Sequence, residues 1–402
     1  MSVVFPKRLF FAMLYMSEGA PIGFLWWALP TLLRARGVAV ESISLLVSLL
    51  AIPWALKFLW APAVDLRRSV RWGTRGWILA SQLLMGLTLL PLAWLDWTAD
   101  FALVVTFLVM HAFAASTQDV SIDALCIRST SEQERGVING WMQAGMLVGR
   151  SVFGGTTLIL VDVLGTSGMV FFLVGTLWTV SLAVLAFDKR DETESVAPSL
   201  SDYRARIMSV LRKRTTWLGL LFAGIGGAAF EGVGSVAGPF LIDAGYATSS
   251  VGFFFAVPSV LAMMLGALGG GWIADAMERT KAVRLALLGV VLIVLGLSLH
   301  AGLGDASNPA ITLPLLAALY LAIGLFTASS YALFMDLSDR SLGATQFSAY
   351  MAATNGCEAW SAFAVGRLVG PFGYPVAFLL LAAVSVSSLP IIGKLKDMSP
   401  AK

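Results

Sequence analysis

The sequence has few charged residues and almost no cysteine. Of its 402 residues, 13% are charged and 58% are hydrophobic, and the mean hydropathy is +0.82. A water-soluble domain has about a quarter of its residues charged, so this composition excludes a water-soluble domain. The high hydrophobic fraction also excludes a disordered chain. The net charge of +3 forms no large field of one sign, so no nucleic-acid partner is expected.

Motifs of catalysis and metal binding are also missing. The two cysteines, Cys126 and Cys357, lie in apolar runs without CxxC or metal-ligand spacing, so neither a disulfide framework nor a metal site is predicted. The sequence contains no Walker loop, HExxH or GxSxG motif, which leaves no support for ATP-driven transport by this chain alone or for intramembrane proteolysis. We therefore expect a polytopic membrane protein that is not an enzyme and needs no cofactor.

Long hydrophobic runs are what the sequence has instead. A bilayer core of about 30 Å needs roughly 20 mostly apolar helical residues, and twelve such runs lie between charged or Gly/Pro/Asn breaks. They are 8–33, 40–64, 76–96, 101–127, 137–161, 168–187, 215–242, 249–275, 282–302, 309–335, 343–369 and 372–392, numbered here as spans 1 to 12. Glu18 inside the first run and the lack of an A-x-A cleavage site predict a retained helix rather than a signal peptide.

Lysine and arginine predict the orientation of these spans. With the N-terminus inside, the outer loops hold only Arg34 and Arg36. Three more basic residues lie within the spans, namely Lys57, Arg150 and Arg367, and the rest of the 27 fall on the cytoplasmic side. This asymmetry places both termini in the cytoplasm. The hydrophilic stretch 188–214 is then a cytoplasmic connector, with a lipid-headgroup or regulatory site as the alternative.

The two halves of the chain repeat each other in the same order. Glu18-Gly19 in span 1 matches Glu231-Gly232 in span 7, and Asp123 in span 4 matches Asp336 in span 10. Two further matches fall at nearly the same offset: Asp65 with Asp275, and Val148-Gly149-Arg150 with Val365-Gly366-Arg367. Two parallel six-helix halves are the architecture of the major facilitator superfamily, whose substrate site lies between the halves near the membrane midplane. The predicted domains are therefore 1–187, the connecting loop 188–214, and 215–402.

Eight ionisable residues fall inside the predicted spans, where each needs a partner or a function. They are Glu18, Lys57, Asp119, Asp123, Arg150, Glu231, Glu358 and Arg367. Counted from Asp65 and Ile127 at ~1.5 Å per residue, Lys57 and Asp119 both lie roughly 12 Å from the cytoplasmic end. Equal depth predicts a structural ion pair, with Asp123 on the same helix face as Asp119. Direct binding of an anionic substrate by Lys57 is the alternative.

Glu18 lies near mid-membrane and is followed by Gly19-Ala20-Pro21. A loosened turn beside a carboxylate can face a cavity, and a carboxyl group buried away from cations is suited to carry a proton. We therefore expect Glu18 to carry a proton or to contact the substrate; a hydrogen bond that packs helices together is the alternative. Glu231 is its equivalent in the second half, although the glycines around it also favour close helix contact. Arg150 and Glu358 lie at similar depth and are expected to pair or to bind the ligand.

Two further groups of side chains are candidates for function. Four aromatic residues are candidates for lining the pocket of a large ligand, although aromatic side chains are common in membrane interiors: Tyr15, Trp26, Trp27 and Trp54. Carboxylates at the ends of spans 2 and 8, which can accept hydrogen bonds from a neighbouring helix N-terminus, are candidates for a cytoplasmic gate together with nearby arginines. These residues are Asp65, Arg67, Arg68, Arg71, Asp275 and Arg279.

Two motifs resemble one branch of that superfamily. Lys57-Phe58-Leu59-Trp60-Ala61-Pro62-x-x-Asp65 resembles the K-F-L-W-[AS]-P-x-x-D signature of the AmpG-like branch. Ala115-Ser116-Thr117-Gln118-Asp119-x-x-x-Asp123-Ala124 resembles its A-S-x-Q-D-x-x-x-D-A segment, which adds Gln118 to the candidate residues. The branch includes muropeptide permeases, acetyl-CoA transporters and siderophore importers of the RhtX/FptX type. Two features resemble the siderophore group. The chain has twelve predicted spans, whereas muropeptide permeases have two further spans. The first part of the sequence, from Leu14 to Arg34, also resembles that group.

The resemblance implies a secondary transporter of the bacterial inner membrane. We expect it to use protons to import a siderophore or a similar bulky polar solute by alternating access, with the span-end carboxylates as conformational latches. Alternatives within the branch are a muropeptide permease and an acetyl-CoA-type transporter; a passive facilitator and a membrane sensor that has lost transport are alternatives outside it. The expected partners are the solute, protons and the lipid bilayer, and the chain is expected to be a monomer.

Overall fold

The computed structural model of the protein describes residues 6–66, 73–186, 208, 211–338 and 343–398. Almost all of these residues are helical, which confirms the predicted all-α fold class. The described residues contain ten helical segments that are long enough and apolar enough to cross a membrane. Two of the ten are each 50 residues long.

The helices follow the order of the predicted spans. The first four are α1 (Lys7–Ala35), α2 (Val40–Leu59), α3 (Arg75–Ala93) and α4 (Phe101–Ser129). The segment Val137–Ala186 divides at Gly165 into α5 (137–164) and α6 (166–186). Next come α7 (Arg214–Asp243), α8 (Thr248–Ala276), α9 (Arg279–Leu303) and α10 (Pro309–Leu337). The segment Gln346–Leu395 divides at Gly373 into α11 (346–372) and α12 (374–395).

The two long segments divide because a glycine in each leaves helical geometry. Gly165 has φ 67° and ψ 169°, and Gly373 has φ 75° and ψ 169°, a backbone conformation that is open mainly to glycine. An unbroken helix of 50 residues is about 75 Å long, more than twice the hydrocarbon thickness. Each segment therefore has the length for two crossings, and its glycine supplies the turn between them.

Large apolar side chains cover the outside of the helices. Examples are Trp94 and Trp272, each 73% exposed, and Leu268, which is 69% exposed. Such a surface is the reverse of a water-soluble protein, in which large exposed apolar patches are rare. Hydrocarbon chains of lipid would cover these side chains, so the surface agrees with the helix lengths in indicating a membrane protein.

The described residues form two compact units. The first consists of the described residues within Met1–Gly37, Leu56–Ala197 and Ala247–Ala256, and the second of those within Val38–Ala55, Pro198–Tyr246 and Val257–Lys402. The first part of α2 thus belongs to the second unit, and the first part of α8 belongs to the first unit. Most of the predicted connecting loop, 188–214, lies outside the described residues, and the domain boundaries drawn at that loop stay a prediction.

Helices α1 and α5 pack closely in the first unit because glycines line both of them. A Cβ atom at Gly19 would collide with the backbone of Met146, and one at Gly145 would collide with the backbone of Ala12. Small residues allow helix backbones to approach in this way. Both helices also contain a π-helical turn, at Phe24–Ala28 in α1 and at Ser151–Thr156 in α5, a feature that is frequent at functional sites. The close packing fixes where α1 presents Glu18.

Candidate coupling and substrate site

Lys57 and Asp119 form an ion pair inside the first unit. Lys57 opens a short 3₁₀ turn, Lys57–Leu59, at the end of α2, and Asp119 lies on the buried face of α4. The side chains are 19% and 8% exposed, so the pair is largely removed from water. The ion pair expected from their equal depth is therefore present, whereas its role in transport stays a prediction.

Glu18 lies directly beside this ion pair. Its carboxyl group lies within electrostatic range of Asp119, Asp123 and Lys57, and the residue is only 3% exposed. One of its two oxygens, Oε2, receives no hydrogen bond from the described residues. A buried carboxylate close to another carboxylate is unfavourable, so Glu18 stays the candidate for carrying a proton.

Asp123 lies one helical turn from Asp119 and pairs with a tyrosine. The hydroxyl of Tyr15 donates a hydrogen bond to Oδ1 of Asp123 at 2.5 Å. Tyr15 is 7% exposed and packs in an apolar cluster with Phe11, Leu14 and Ile122. Asp123 itself is only partly buried. Glu18, Asp119 and Asp123 are called the carboxylate cluster below. Tyr15, which was expected to line a ligand pocket, is thus in contact with this cluster.

A second set of hydrogen bonds starts at Ser17, next to Glu18. The Ser17 hydroxyl accepts hydrogen bonds from Nε2 of Gln82 at 3.1 Å and from Nε2 of Gln118 at 3.3 Å. It donates one to the Leu14 carbonyl at 2.7 Å. Oε1 of Gln82 in turn accepts a hydrogen bond from the Ser181 hydroxyl at 2.5 Å. This network joins α1, α3, α4 and α6 around the residue that precedes Glu18.

Of the four residues in this network, the sequence motifs pointed to only one, Gln118. Ser17, Gln82 and Ser181 were missed. Two amide side chains inside apolar helices were the available signal, because a buried amide needs hydrogen-bonding partners. A single sequence does not reveal that both amides meet the same hydroxyl group.

Arg150 and Trp27 lie together near the π-helical turns of α1 and α5. The guanidinium carbon of Arg150 lies 5.2 Å from the centre of a Trp27 ring, within the range of a cation–π interaction. Trp27 also stacks on Phe255, with ring centres 5.2 Å apart and an angle of 12° between the ring planes. Of the other two tryptophans proposed for a pocket, Trp26 is half-buried and Trp54 is 9% exposed.

In the second unit, α7 is interrupted close to Glu231. One helix ends at Ile225 and the next begins at Ala228, so Glu231 lies in the first turn of the second part. The backbone N–H of Ala229 donates to the Ser385 hydroxyl at 2.9 Å. Glu358 is half-buried on α11, and Cys357 lies within electrostatic range of both glutamates. The interruption resembles the broken helices that line transport sites.

Arg279, at the start of α9, contacts carboxylates at the ends of two other helices. Nη1 of Arg279 donates to Oδ1 of Asp275 at 2.8 Å, and its Nε donates to Oδ2 of Asp336 at 3.3 Å. Arg279 thus joins the end of α8 to the end of α10. The equivalent residues of the first half lie outside the part of the chain whose side chains the structure describes: Asp65, Arg67, Arg68 and Arg71. The gating role of the whole group stays a prediction.

The family is shown by a match along most of the chain. The family model described as Major Facilitator Superfamily matches residues 11–366. The chain belongs to the Major Facilitator Superfamily and is a multi-pass membrane transporter. Solved structures share the fold: a nucleoside transporter, NupG, covers 99% of this chain and 100% of its own with a TM-score of 0.72 and 14% identity. A D-xylose-proton symporter covers 97% and 96% with a TM-score of 0.73 and 13% identity.

Curated relatives support an AmpG-like identity. The anhydromuropeptide permease of Escherichia coli K12 is 25% identical over 96% of this chain and 79% of its own length. The putative transporter AmpG 4 of Rickettsia conorii is 23% identical over 93% of each protein. These matches confirm the resemblance seen in the motifs around Lys57 and Asp119. Similarity to siderophore importers stays a prediction.

Proposed function

We propose that the protein is a proton-coupled secondary importer of a bulky polar solute, working by alternating access in the bacterial inner membrane. The observation that carries this proposal is the position of Glu18, which is 3% exposed and adjacent to the carboxyl group of Asp119. Asp119 has Lys57 as its cationic partner, whereas Oε2 of Glu18 has no hydrogen-bond partner among the described residues. We therefore assign the coupling proton to Glu18.

The same geometry provides a reason for the proton to leave. A buried carboxyl group close to another carboxylate is stable when protonated, because an ionised form would be both desolvated and repelled. When the transporter opens and water reaches Glu18, the desolvation cost falls and the proton is released. Alternating exposure of one carboxyl group to two sides of the membrane thus couples proton entry to solute entry.

The location and the orientation are parts of the same proposal. The positive charges of the sequence favour cytoplasmic termini, and the curated relatives include a permease from Escherichia coli K12. Protons would then enter from the periplasmic side, where the proton-motive force makes them available. A cytoplasmic gate would include Arg279 with Asp275 and Asp336.

Two kinds of solute are candidates. The opening of the sequence and the predicted number of spans favour a siderophore. The relative whose printed name is anhydromuropeptide permease covers nearly the whole chain and favours a cell-wall fragment as the second candidate. Both are large, polar and oxygen-rich molecules, for which the buried amides, hydroxyls and charged groups of the first unit are suitable partners.

Transport by purified protein in liposomes tests the proposal. An iron-loaded siderophore and an anhydromuropeptide, each labelled, serve as probes, and a pH gradient that is alkaline inside provides the driving force. We expect accumulation of one probe above its external concentration, together with proton entry that a trapped pH-sensitive dye records. Accumulation that is insensitive to a protonophore would indicate a passive facilitator, and no movement of either probe would favour a sensor.

A variant of Glu18 tests the residue assigned to the proton. Glu18→Gln mimics the protonated form, so it should fold and exchange the probe across the membrane but fail to accumulate it. Glu41→Gln is the matched control, because Glu41 is 53% exposed and pairs with Arg367 at 2.6 Å; it should accumulate the probe normally. Uphill uptake by Glu18→Gln at the wild-type rate would show that Glu18 carries no coupling proton.

A further inference from the structure

The three carboxyl groups of the cluster differ in their exposure. Glu18 is 3% exposed and Asp119 is 6% exposed, so both are almost fully buried. Asp123 is only partly buried. It also lies one helical turn farther along α4 than Asp119. Asp123 is therefore the least buried of the three carboxyl groups.

Tyr15 and Asp123 lie on the same side of the Glu18–Asp119 contact. Tyr15 is one helical turn nearer the start of α1, and Asp123 is one turn nearer the end of α4. The start of α1 lies next to the end of α4, as the hydrogen bond from Nζ of Lys7 to the carbonyl of Ser129 at 2.9 Å shows. The pair is thus displaced by about 5 Å, one helical turn, toward the predicted cytoplasmic side.

We propose that Asp123 is the relay through which the proton of Glu18 leaves toward the cytoplasm, and that Tyr15 keeps Asp123 ready to accept it. This inference rests on the proposed coupling role of Glu18 and adds the exit route. The Tyr15 hydroxyl donates its hydrogen bond to Asp123 at 2.5 Å, and a hydrogen bond to a carboxylate stabilises its ionised form. An ionised Asp123 is a proton acceptor.

The proton transfer balances within the cluster. The O–H bond of Glu18 breaks as an O–H bond forms on Asp119, and the proton then passes to Asp123 and on to water. Lys57 keeps its charge throughout, and Glu18 and Asp123 both end as carboxylates. The titratable groups that face Asp123 are Tyr15 of α1, Lys57 of α2 and Asp119 of its own helix, with Glu18 beside Asp119.

The repeat shows that this arrangement is specific to the first unit. Asp336 is the repeat equivalent of Asp123, and it accepts a hydrogen bond from Arg279 at 3.3 Å. Ala228 stands at the position equivalent to Tyr15. Asp336 thus has a cationic partner, whereas the hydrogen-bond partner of Asp123 is an uncharged hydroxyl group. The tyrosine at Asp123 allows the carboxyl group to take and lose a proton.

Infrared difference spectroscopy after a pH jump tests the relay without a solute. With protein in lipid nanodiscs, the carboxyl C=O bands of Glu18 and Asp123 are assigned from their loss in Glu18→Gln and Asp123→Asn. In Asp123→Asn we expect the Glu18 band to persist but to lose its proton at least about tenfold more slowly. In Tyr15→Phe the C=O band of Asp123 should shift to higher frequency, because the hydrogen bond from the tyrosine hydroxyl is gone.

The controls separate a failed relay from a failed fold or a failed coupling residue. Tyr374→Phe and Asp243→Asn remove the same type of contact, since the Tyr374 hydroxyl donates to Asp243 at 2.8 Å on the exposed surface; both should behave as wild type. Asp123→Glu keeps a carboxyl group and should restore rapid release if Asp123→Asn folds poorly. Release from Glu18 at the wild-type rate in Asp123→Asn would overturn the relay. A missing Glu18 band in the wild type would overturn the coupling proposal itself.

Discussion

Lys57 contacts Asp119 at the point where α2 leaves regular α-helical geometry. The main part of α2 ends at Leu56, and Lys57 begins a 3₁₀ turn that directs its side chain to α4. A 3₁₀ turn has three residues per turn rather than 3.6, so it changes the direction in which successive side chains point. The ion pair therefore depends on both residues and on the change from α-helix to 3₁₀ helix at Lys57.

This ion pair predicts how Lys57 and Asp119 variants affect stability. Lys57→Met or Asp119→Leu alone leaves a buried charge without its partner and should cost about 3–5 kcal/mol, whereas the double variant should recover most of the loss. Thermal unfolding of protein in detergent, followed by tryptophan fluorescence, measures the difference. Lys281→Met is the control, because Lys281 is 62% exposed and pairs with neighbouring Glu278 at 3.7 Å.

Reversing the charges is a further test of the same pair. The double variant Lys57→Asp and Asp119→Lys should recover part of the folded protein that each single reversal loses. Equal yields for the double and single variants would contradict a direct pairing.

Ser17 is predicted to hold the helices around Glu18 in place. Ser17→Ala removes the acceptor of two buried amides, so the free energy of unfolding should fall by about 1–3 kcal/mol. Ser387→Ala is matched to it, because Ser387 also donates to a backbone carbonyl three residues earlier, at 2.6 Å, but lies on the surface. Its stability should change by less than about 0.5 kcal/mol. Equal effects of the two variants would show that Ser17 contributes only its local bond.

Close packing of α1 on α5 is predicted to depend on Gly145. Gly145→Ala places a Cβ atom against the backbone of Ala12, and separating the helices should lower the yield of folded protein and cost about 1–3 kcal/mol. Gly140→Ala on the same helix meets nothing within 4 Å and should be neutral or slightly stabilising. Size-exclusion profiles and thermal midpoints compare the two. A thermal midpoint for Gly145→Ala at or above that of Gly140→Ala would be inconsistent with a tight helix contact.

Arg279 is predicted to act on turnover rather than on solute affinity. The residue is 28% exposed and its partners Asp275 and Asp336 are 76% and 41% exposed, so the contacts contribute little to overall stability. Arg279→Gln should therefore fold normally and bind the accumulated probe with an affinity within about twofold of wild type. It should transport the probe several-fold more slowly, because the contacts that favour the state closed to the cytoplasm by about 1–3 kcal/mol are removed. Lys281→Gln provides the control for loss of a charge at the same helix end. A large loss of affinity would place Arg279 in the binding site instead of the gate.

Helix order and family could be predicted from the sequence for physical reasons. A membrane requires about 20 apolar residues per crossing, so each span appears as a local run that needs no knowledge of its neighbours. The motif from Lys57 to Asp65 and the one from Ala115 to Ala124 identified the AmpG-like branch, which the curated relatives confirm. Depth also follows from a local count, since each residue adds a fixed rise along a helix. The count therefore places Lys57 and Asp119 at equal depth, and the structure joins them in an ion pair.

Direction around each helix axis was decided only by the tertiary structure. A count along the chain gives the height of Tyr15, but its hydroxyl reaches Asp123 because the packing of α1 against α4 turns it that way. The same is true of Gln82 and Gln118, which meet at one hydroxyl group, and of Asp336, which joins Arg279 from another helix. The face of a span that contacts lipid and the face that contacts other helices have similar compositions. The sequence of a span therefore carries little information on how the helix is rotated about its axis. The contacts around Glu18 come from that rotation and from the glycine packing that holds α1 against α5.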